Sequence, residues 1–187
     1  REPCSLTHPL RLDGETGEEK SLLAGPKANG QVKWIAEGEG ALAMLAGDPD
    51  TFSVSSLQNL TATPFGTELA AYELETEKKL WSHTEEGPVD EREITIRDEY
   101  LYYHVRDKRV VCRNLKTGNV EWEQRDPEIL RLLASAEMDK SKLHATLFSS
   151  RSLVATPDVL YFASVALLNR VALDIRDGKL LWSEPVG

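Results

Sequence analysis

Four tryptophans recur along the chain, and the residues that precede them recur as well. The tryptophans lie roughly 40 to 60 residues apart, a spacing typical of repeat proteins, at Trp34, Trp81, Trp122 and Trp182. A glycine stands four positions before three of them, at Gly30, Gly118 and Gly178. A small residue stands ten positions before each, at Ala24, Ala71, Cys112 and Ala172. Because the chain has only 12 glycines in 187 residues, this coincidence indicates an internal structural repeat.

Short stretches typical of β-strands fill the interval before Trp122. Residues 92–97 alternate polar and apolar side chains, residues 100–105 and 110–114 are rich in aromatic and β-branched side chains, and turn-forming residues separate the three. Such short strands joined by tight turns predict an antiparallel meander. A propeller blade of four strands takes about 40–50 residues, close to the interval between the tryptophans. The sequence therefore predicts an all-β propeller of four-stranded antiparallel blades, present over residues 1–187 as a partial ring or fragment.

One segment has the periodicity of a helix instead. Asp126 suits the N-cap and Pro127 suits the first helical position, and apolar residues follow at helical spacing as far as about Asp139. We therefore expect a helical insertion within residues 126–150. Its apolar side chains either meet a partner protein or cover an exposed blade edge, and both alternatives stay open. The candidate partner-binding residues are Leu130, Leu133, Met138 and Phe148.

The repeat, written A-x-D-x-x-T-G-x-x-x-W, resembles the tryptophan-docking motif of PQQ-like β-propellers, a group that includes quinoprotein alcohol dehydrogenases and BamB-like assembly scaffolds. The resemblance covers residues 69–182 best, and the first copy departs from it at Pro26 and Asn29. It implies that each indole is buried between neighbouring blades, over a small residue and a glycine turn. The implied docking residues are Trp34, Trp81, Trp122, Trp182, Gly30, Gly118, Gly178, Ala71 and Ala172. We expect Gly118 and Gly178 to lie in tight hairpin turns with positive φ, and Glu77, in the glycine position of the second copy, to adopt the same left-handed backbone.

Charge and cysteine content limit the functions that remain. A net charge of −9 disfavours a nucleic-acid partner, and no apolar run approaches the length of a membrane span. Two isolated cysteines, Cys4 and Cys112, favour unpaired thiols over a zinc site, although a single disulfide stays open. Asn59 begins a glycosylation triplet. The chain starts at Arg1, which suits a processed product outside the cytoplasm, periplasmic or secreted, or an excised fragment.

Two functional hypotheses follow. The first is a non-catalytic scaffold whose partners are other protein chains. Such partners could also complete the propeller, since PQQ-like propellers usually have seven or eight blades and this chain has about four motifs. The second is part of a quinoprotein dehydrogenase that binds PQQ and calcium. The sequence lacks the adjacent cysteine pair of many such enzymes and a recognisable nucleophile motif. We therefore assign no catalytic, cofactor-binding or metal-binding residue, expect no cofactor, and favour the scaffold.

Overall fold

The computed structural model describes residues 10–22, 30–48, 51–52, 60–61, 65–134, 152–163 and 169–185. These residues form antiparallel strands and one short helix, which confirms the predicted all-β fold class. The strands are β1 Leu10–Leu12, β2 Glu19–Leu22, β3 Gln31–Gly38, β4 Ala41–Gly47, β5 Thr51–Phe52, β6 Leu60–Thr61, β7 Phe65–Glu73, β8 Lys79–Arg97, β9 Tyr100–Val105, β10 Arg109–Asn114, β11 Val120–Gln124, β12 Ser152–Ala155, β13 Val159–Ala163, β14 Asn169–Asp174 and β15 Leu180–Pro185. The helix is α1 Pro127–Leu133.

One long strand joins two blades. The seven-stranded sheet has the order β11-β10-β9-β8-β7-β4-β3, and β8 is 19 residues long. The first part of β8 pairs with β7, whereas its last residues pair with β9. We therefore divide this sheet into a second blade (β3, β4, β7 and the start of β8) and a third blade (the end of β8 with β9, β10 and β11). Strands β12 to β15 form the fourth blade, and the β1–β2 pair is the first, two-stranded unit.

The same turn closes the last strand pair of every unit. In the fourth blade, Asp174 accepts a hydrogen bond from the Gly178 N–H, and its own N–H donates to the Lys179 carbonyl. Equivalent bonds close the turns that begin at residues 13, 73 and 114. The fourth residue after each turn's start has positive φ, at Gly17, Glu77, Gly118 and Gly178. This confirms the left-handed backbone predicted at Gly118, Gly178 and Glu77.

The structure places the first copy of the repeat differently from the sequence alignment. Trp81, Trp122 and Trp182 each pair with the small residue ten positions earlier, on the preceding strand. In the β1–β2 pair this position is taken by Ser21, opposite Arg11. Trp34 instead lies in β3, the first strand of the second blade, and its cross-strand neighbour is Leu45. Trp34 is therefore not equivalent to the other tryptophans.

Two more residues of that first copy also lack the expected role. Gly30 directly precedes β3, the first strand of the second blade, whereas the turn glycines lie between the last two strands of a unit. Ala24 lies outside the described residues. The intact first turn is Asp13-Gly14-Glu15-Thr16-Gly17, which matches the repeat at the acidic residue, the threonine and the glycine.

Helix α1 begins where the sequence predicts and ends earlier. The Asp126 carboxylate caps it by accepting from the Glu128 N–H, at 2.8 Å. Ala134 already has extended backbone angles, so the helix ends at Leu133 and not near Asp139. So short a helix depends on packing, because a helix of two turns is marginal by itself. Residues 135–150, including Met138 and Phe148, lie outside the described residues.

The apolar core lies between consecutive blades. One cluster joins the second and third blades and contains Leu45, Leu69, Leu101, Tyr103 and Val111, with Trp34 and Trp81 packed against it. A second cluster joins the third and fourth blades. It contains Tyr102, Val110, Cys112, Ile129, Leu133, Leu153, Leu160, Phe162, Val171, Leu173 and Ile175. Blade-to-blade packing is therefore the main source of apolar burial here. None of the described residues forms a helix with the length and hydropathy that a bilayer crossing requires.

Candidate functional site

The seam between the second and third blades centres on Trp81. Its indole N–H donates a hydrogen bond to the Leu115 carbonyl, at 2.8 Å. A Cβ atom at Gly118 would lie 2.6 Å from Cγ of this indole, so only glycine leaves room for the ring. The Arg113 guanidinium lies over the same ring, 5.6 Å from its centroid, an arrangement that favours a cation–π attraction.

The seam between the third and fourth blades has the same arrangement. The Trp122 indole donates to the Ile175 carbonyl at 3.0 Å, and a Cβ at Gly178 would lie 2.6 Å from Cζ3 of the ring. The Gln124 amide adds a hydrogen bond to the Gly178 carbonyl at 3.0 Å. The chain therefore builds one kind of seam twice, with a tryptophan on one blade and a glycine turn on the next.

Each of these tryptophans belongs to a row of cross-strand neighbours on one face of its blade. In the third blade the row runs from Thr95 through Tyr102 and Cys112 to Trp122, and Tyr102 and Cys112 are buried against the fourth blade. Cys112 is a free thiol, and burial raises its pKa to about 12. This cysteine consequently behaves as a small core residue and not as a nucleophile.

The corresponding row of the fourth blade is exposed at both ends, whereas its middle residues Tyr161 and Ala172 are half-buried and buried. It consists of Val154, Tyr161, Ala172 and Trp182, which we call the open row. Val154 is 51% exposed and Trp182 is 43% exposed, so the expectation that all four indoles are buried is wrong for Trp182. Its ring contacts Tyr161, with centroids 6.0 Å apart, and it makes no hydrogen bond to any described residue. The open row thus has the tryptophan half of a seam without the glycine half.

The first unit has the opposite deficiency. Its turn from Asp13 to Gly17, which we call the open turn, has φ of 71° at Gly17. A Cβ at Gly17 would have no heavy atom within 4 Å, in contrast to the turns covered by Trp81 and Trp122. Leu12, just before the turn, is 52% exposed. The open turn is therefore the glycine half of a seam without its tryptophan.

Buried charges join the second and third blades beside the Trp81 seam. The Glu85 carboxylate is fully buried and accepts hydrogen bonds from Arg109 at 2.5 Å and from the Tyr103 hydroxyl at 2.6 Å. Arg113 lies 3.5 Å from the same carboxylate and donates to the Gly118 carbonyl. Burial raises the pKa of Tyr103, and the hydroxyl therefore stays protonated as a donor to Glu85. These ionisable groups bind one another and hold the seam together.

A second buried pair lies where the third blade meets the fourth. His104 Nδ1 is 3.0 Å from the Glu93 carboxylate, and the imidazole contacts the Phe162 ring edge-on at 6.0 Å. The other ring nitrogen, Nε2, is buried without a hydrogen-bond partner. Among the described residues, no group of three His, Cys, Asp or Glu side chains could hold a metal ion.

The structure brings together most of the predicted docking residues, and of the predicted partner-binding residues it describes only Leu130 and Leu133, both on helix α1. Leu133 is 1% exposed in the core between the third and fourth blades, so it does not meet a partner. Leu130 is half-buried on the same helix. Sequence reasoning missed the open turn and the Glu85 cluster. The spacing of Asp13, Thr16 and Gly17 could have revealed the turn, whereas nothing in the local sequence indicated the ion pairs.

Comparison with known families agrees with this geometry. A sequence model of the family described as outer membrane protein assembly factor BamB matches residues 19–187. The chain belongs to this family of PQQ-like repeat proteins. A comparison with curated proteins gives no match.

Solved structures show the same fold at low sequence identity. The computationally designed Ika8 protein is 15% identical with a TM-score of 0.57, over 91% of this chain and 41% of that one. The designed Ika4 protein is 12% identical with a TM-score of 0.55, over 88% of this chain and 79% of that one. A chain of the mitotic checkpoint complex is 10% identical with a TM-score of 0.59, over 95% of this chain and 44% of that one. The chain therefore spans less than half the length of two of these relatives.

Proposed function

We propose that this chain is a non-catalytic propeller scaffold that binds other protein chains in a periplasmic or secreted assembly. The observation that carries the proposal is membership of the family of outer membrane assembly factors, over residues 19–187. That family implies protein partners. The location outside the cytoplasm is part of the proposal, supported by the family and by the sequence.

The open row supplies a surface suited to a protein partner. Trp182 and Tyr161 are adjacent aromatic side chains on one face of the sheet, and Val154 extends the apolar strip to the first strand of the blade. Partly exposed aromatic residues of this kind are enriched in protein interfaces. Strand β15 also lies at the edge of its sheet, and its outer backbone groups can pair with an added strand.

The ionisable groups support a role without chemistry. The buried carboxylates bind neighbouring bases, as Glu85 binds Arg109 and Asp90 binds Arg92 at 2.6 Å. Groups that pair in this way stabilise the fold and are not poised to transfer a proton to a substrate. We propose accordingly that the chain binds neither PQQ nor calcium.

Site-specific photo-crosslinking tests the scaffold proposal. A photoreactive amino acid replaces Val154, which is exposed on the open row, and a matched one replaces Glu128, which is exposed on helix α1. After irradiation in the native host, mass spectrometry should find polypeptides attached at position 154 and not at position 128. Equal capture at both positions, or none at position 154, would contradict binding through the open row.

Native mass spectrometry with added PQQ and Ca²⁺ tests the absence of a cofactor. The expected result is an unchanged mass for the full chain at every ratio of cofactor to protein. A stoichiometric PQQ adduct that requires Ca²⁺ would overturn the non-catalytic proposal and favour a quinoprotein dehydrogenase.

A further inference from the structure

We propose that the buried His104–Glu93 pair is a pH-sensitive contact, which holds the third and fourth blades together while the imidazole is neutral and releases them when the imidazole gains a proton. The inference goes beyond the proposed function, since it concerns the regulation of a junction within the chain and holds whatever the partner is. Opening in acid would expose the aromatic face of the third blade, which carries Tyr102 and Trp122.

Irregular pairing of strand β8 brings Glu93 beside His104. Val89 pairs with Val105 and Ile94 with Tyr103, so β8 advances five residues where β9 advances two. Extra residues of this kind bulge out of the ladder and redirect the side chains that they carry. One carboxylate oxygen of Glu93 lies 3.0 Å from Nδ1 of His104, and both side chains are only 2% exposed.

The imidazole faces the fourth blade. His104 and Tyr102 lie two residues apart on β9, so their side chains share one face of the sheet. Tyr102 belongs to the core between the third and fourth blades, and the His104 ring meets Phe162 of the fourth blade edge-on, with centroids 6.0 Å apart. The second ring nitrogen, Nε2, is buried without a hydrogen-bond partner. A change in the charge of this ring therefore acts directly on the junction.

The hydrogen bonding of the ring assigns its proton. An ionised carboxylate can only accept, so Nδ1 carries the hydrogen that is donated to Glu93. Nε2 is then a bare nitrogen in the neutral ring and an N–H donor in the charged ring. A buried donor on a charged group that lacks an acceptor costs more free energy than an unused neutral acceptor. The closed junction thus suits the neutral imidazole.

The third blade presents one charge to the imidazole, the Glu93 carboxylate. The adjacent Arg92 binds Asp90 at 2.6 Å. Tyr102 and Cys112 face the same junction, and burial raises the pKa of both groups, so they keep their protons. The two arginines of β10 face the second blade instead, where they bind the Glu85 carboxylate.

The elements packed on the other side of the junction contribute apolar side chains. They belong to α1, β12, β13 and β14 and are Ile129, Leu133, Leu153, Leu160, Phe162, Val171 and Leu173. The charged residues of these elements point elsewhere: Glu128 and Arg131 are exposed and bind each other, and Arg170 is exposed beside Glu184. Within the described part of the chain, no side chain is therefore bonded to Nε2 or placed to accept a hydrogen from it.

Opening the junction lets water accept from Nε2–H, so the open form takes up a proton that the closed form resists. Attraction to Glu93 favours the charged ring in the closed form too, but that carboxylate binds Nδ1 and leaves Nε2–H unpaired. An exposed histidine gains its proton at about pH 6.5. Because the open form then binds one proton more than the closed form, the equilibrium constant for opening should rise about tenfold between pH 7.5 and pH 5.5.

Amide hydrogen exchange of the full chain at these two pH values measures the opening, after correction for the intrinsic exchange rate. The opening constants of amides in β13 and β14 should rise about tenfold at pH 5.5, whereas those in β4 and β7 should not change. His104→Gln keeps a donor for Glu93 and has no proton to gain, so its fourth blade should open equally at both pH values. His83→Gln is the matched control, since His83 lies in the second blade with a side chain 39% exposed, and this variant should behave like wild type.

Three outcomes of this experiment would overturn the proposal: no rise in wild type, a rise that persists in His104→Gln, or an equal rise in the second blade. The ring nitrogen resonances of His104 in wild-type protein provide a measurement that does not depend on the folding of a variant. At pH 7.5, nuclear magnetic resonance should find the hydrogen on Nδ1 and a bare Nε2. A hydrogen on Nε2 at that pH would refute the neutral ring on which the opening depends.

Discussion

Replacing Gly118 with alanine should destabilise the protein through two separable effects. The first is backbone strain, because φ is 75° at Gly118 and a left-handed L-residue costs about 1–2 kcal/mol. The second is a collision, because the new Cβ would lie 2.6 Å from Cγ of Trp81. Overpacking of this kind costs about 1–3 kcal/mol. We therefore expect Gly118→Ala to lower the free energy of unfolding by about 2–5 kcal/mol.

The Trp81 ring cannot move aside without losing its own contacts. Its indole N–H is bound to the Leu115 carbonyl at 2.8 Å, and the Arg113 guanidinium lies over its face. Gly40→Ala is the matched control, because φ there is 73° and its Cβ would have open space. That variant should show only the strain, about 1–2 kcal/mol.

Urea denaturation followed by tryptophan fluorescence and circular dichroism measures both variants, with linear extrapolation to water. A double-mutant cycle isolates the collision: in a Trp81→Ala background, Gly118→Ala should cost no more than Gly40→Ala does. Equal costs for the two glycine variants in the wild-type background would refute the steric argument. If Gly118→Ala still lowers the free energy of unfolding more than Gly40→Ala does in the Trp81→Ala background, the cause lies in the turn and not in a collision with the indole.

The remaining predictions concern the open row, the buried charges and the pH dependence. In urea unfolding of the monomeric protein, Trp122→Ala should lower the free energy of unfolding by about 2–4 kcal/mol and Trp182→Ala by less than about 1 kcal/mol. The reason is that a neighbouring blade covers only the Trp122 indole. Similar losses for the two variants would contradict this difference. Glu85→Gln should cost about 3–5 kcal/mol, because it leaves two buried arginines without their shared carboxylate, and a cost below about 1 kcal/mol would show that solvent screens the cluster. Hydrogen bonds from Arg176 lower the pKa of Asp174 from 3.8 to about 2, so the stability that this carboxylate contributes is present above about pH 4 and is lost as the pH falls toward 2. Thermal unfolding of Asp174→Asn should accordingly show a weaker decline over that interval than wild type, and parallel curves would refute the assignment.

The repeat made most of the fold predictable, but aligning its copies on tryptophan also caused the first copy to be placed wrongly. Three copies align because tryptophan is rare and a small residue stands ten positions before each, with a glycine turn in two of the three. In the first unit, Ser21 holds the tryptophan position, so an alignment anchored on tryptophan selected Trp34 instead. The turn at Asp13–Gly17 was visible only in the turn chemistry. Local turn residues were the more reliable signal here, because backbone conformation depends on them directly.

The site depended on information that local patterns do not contain. Trp122 and Trp182 belong to the same motif. Trp122 is covered because the fourth blade packs against it, whereas Trp182 has no further blade beside it in the described structure and is exposed. The Glu85–Arg109 pair joins residues on two blades, so no local spacing encodes it. Helix α1 began as predicted because its cap is local, whereas its end was not marked by a glycine or proline.

The uninterrupted strand β8 makes the second and third blades one unit of folding. No loop separates them, since residues 79–97 leave one blade and enter the next as a single strand. Opening either blade therefore breaks backbone hydrogen bonds that begin in the other, and amide protons on both should exchange with solvent through openings of the same free energy. The fourth blade follows a long connection instead, so its amides can exchange through a separate opening. We therefore expect the units that open cooperatively to differ from the blades, because the second and third blades open together.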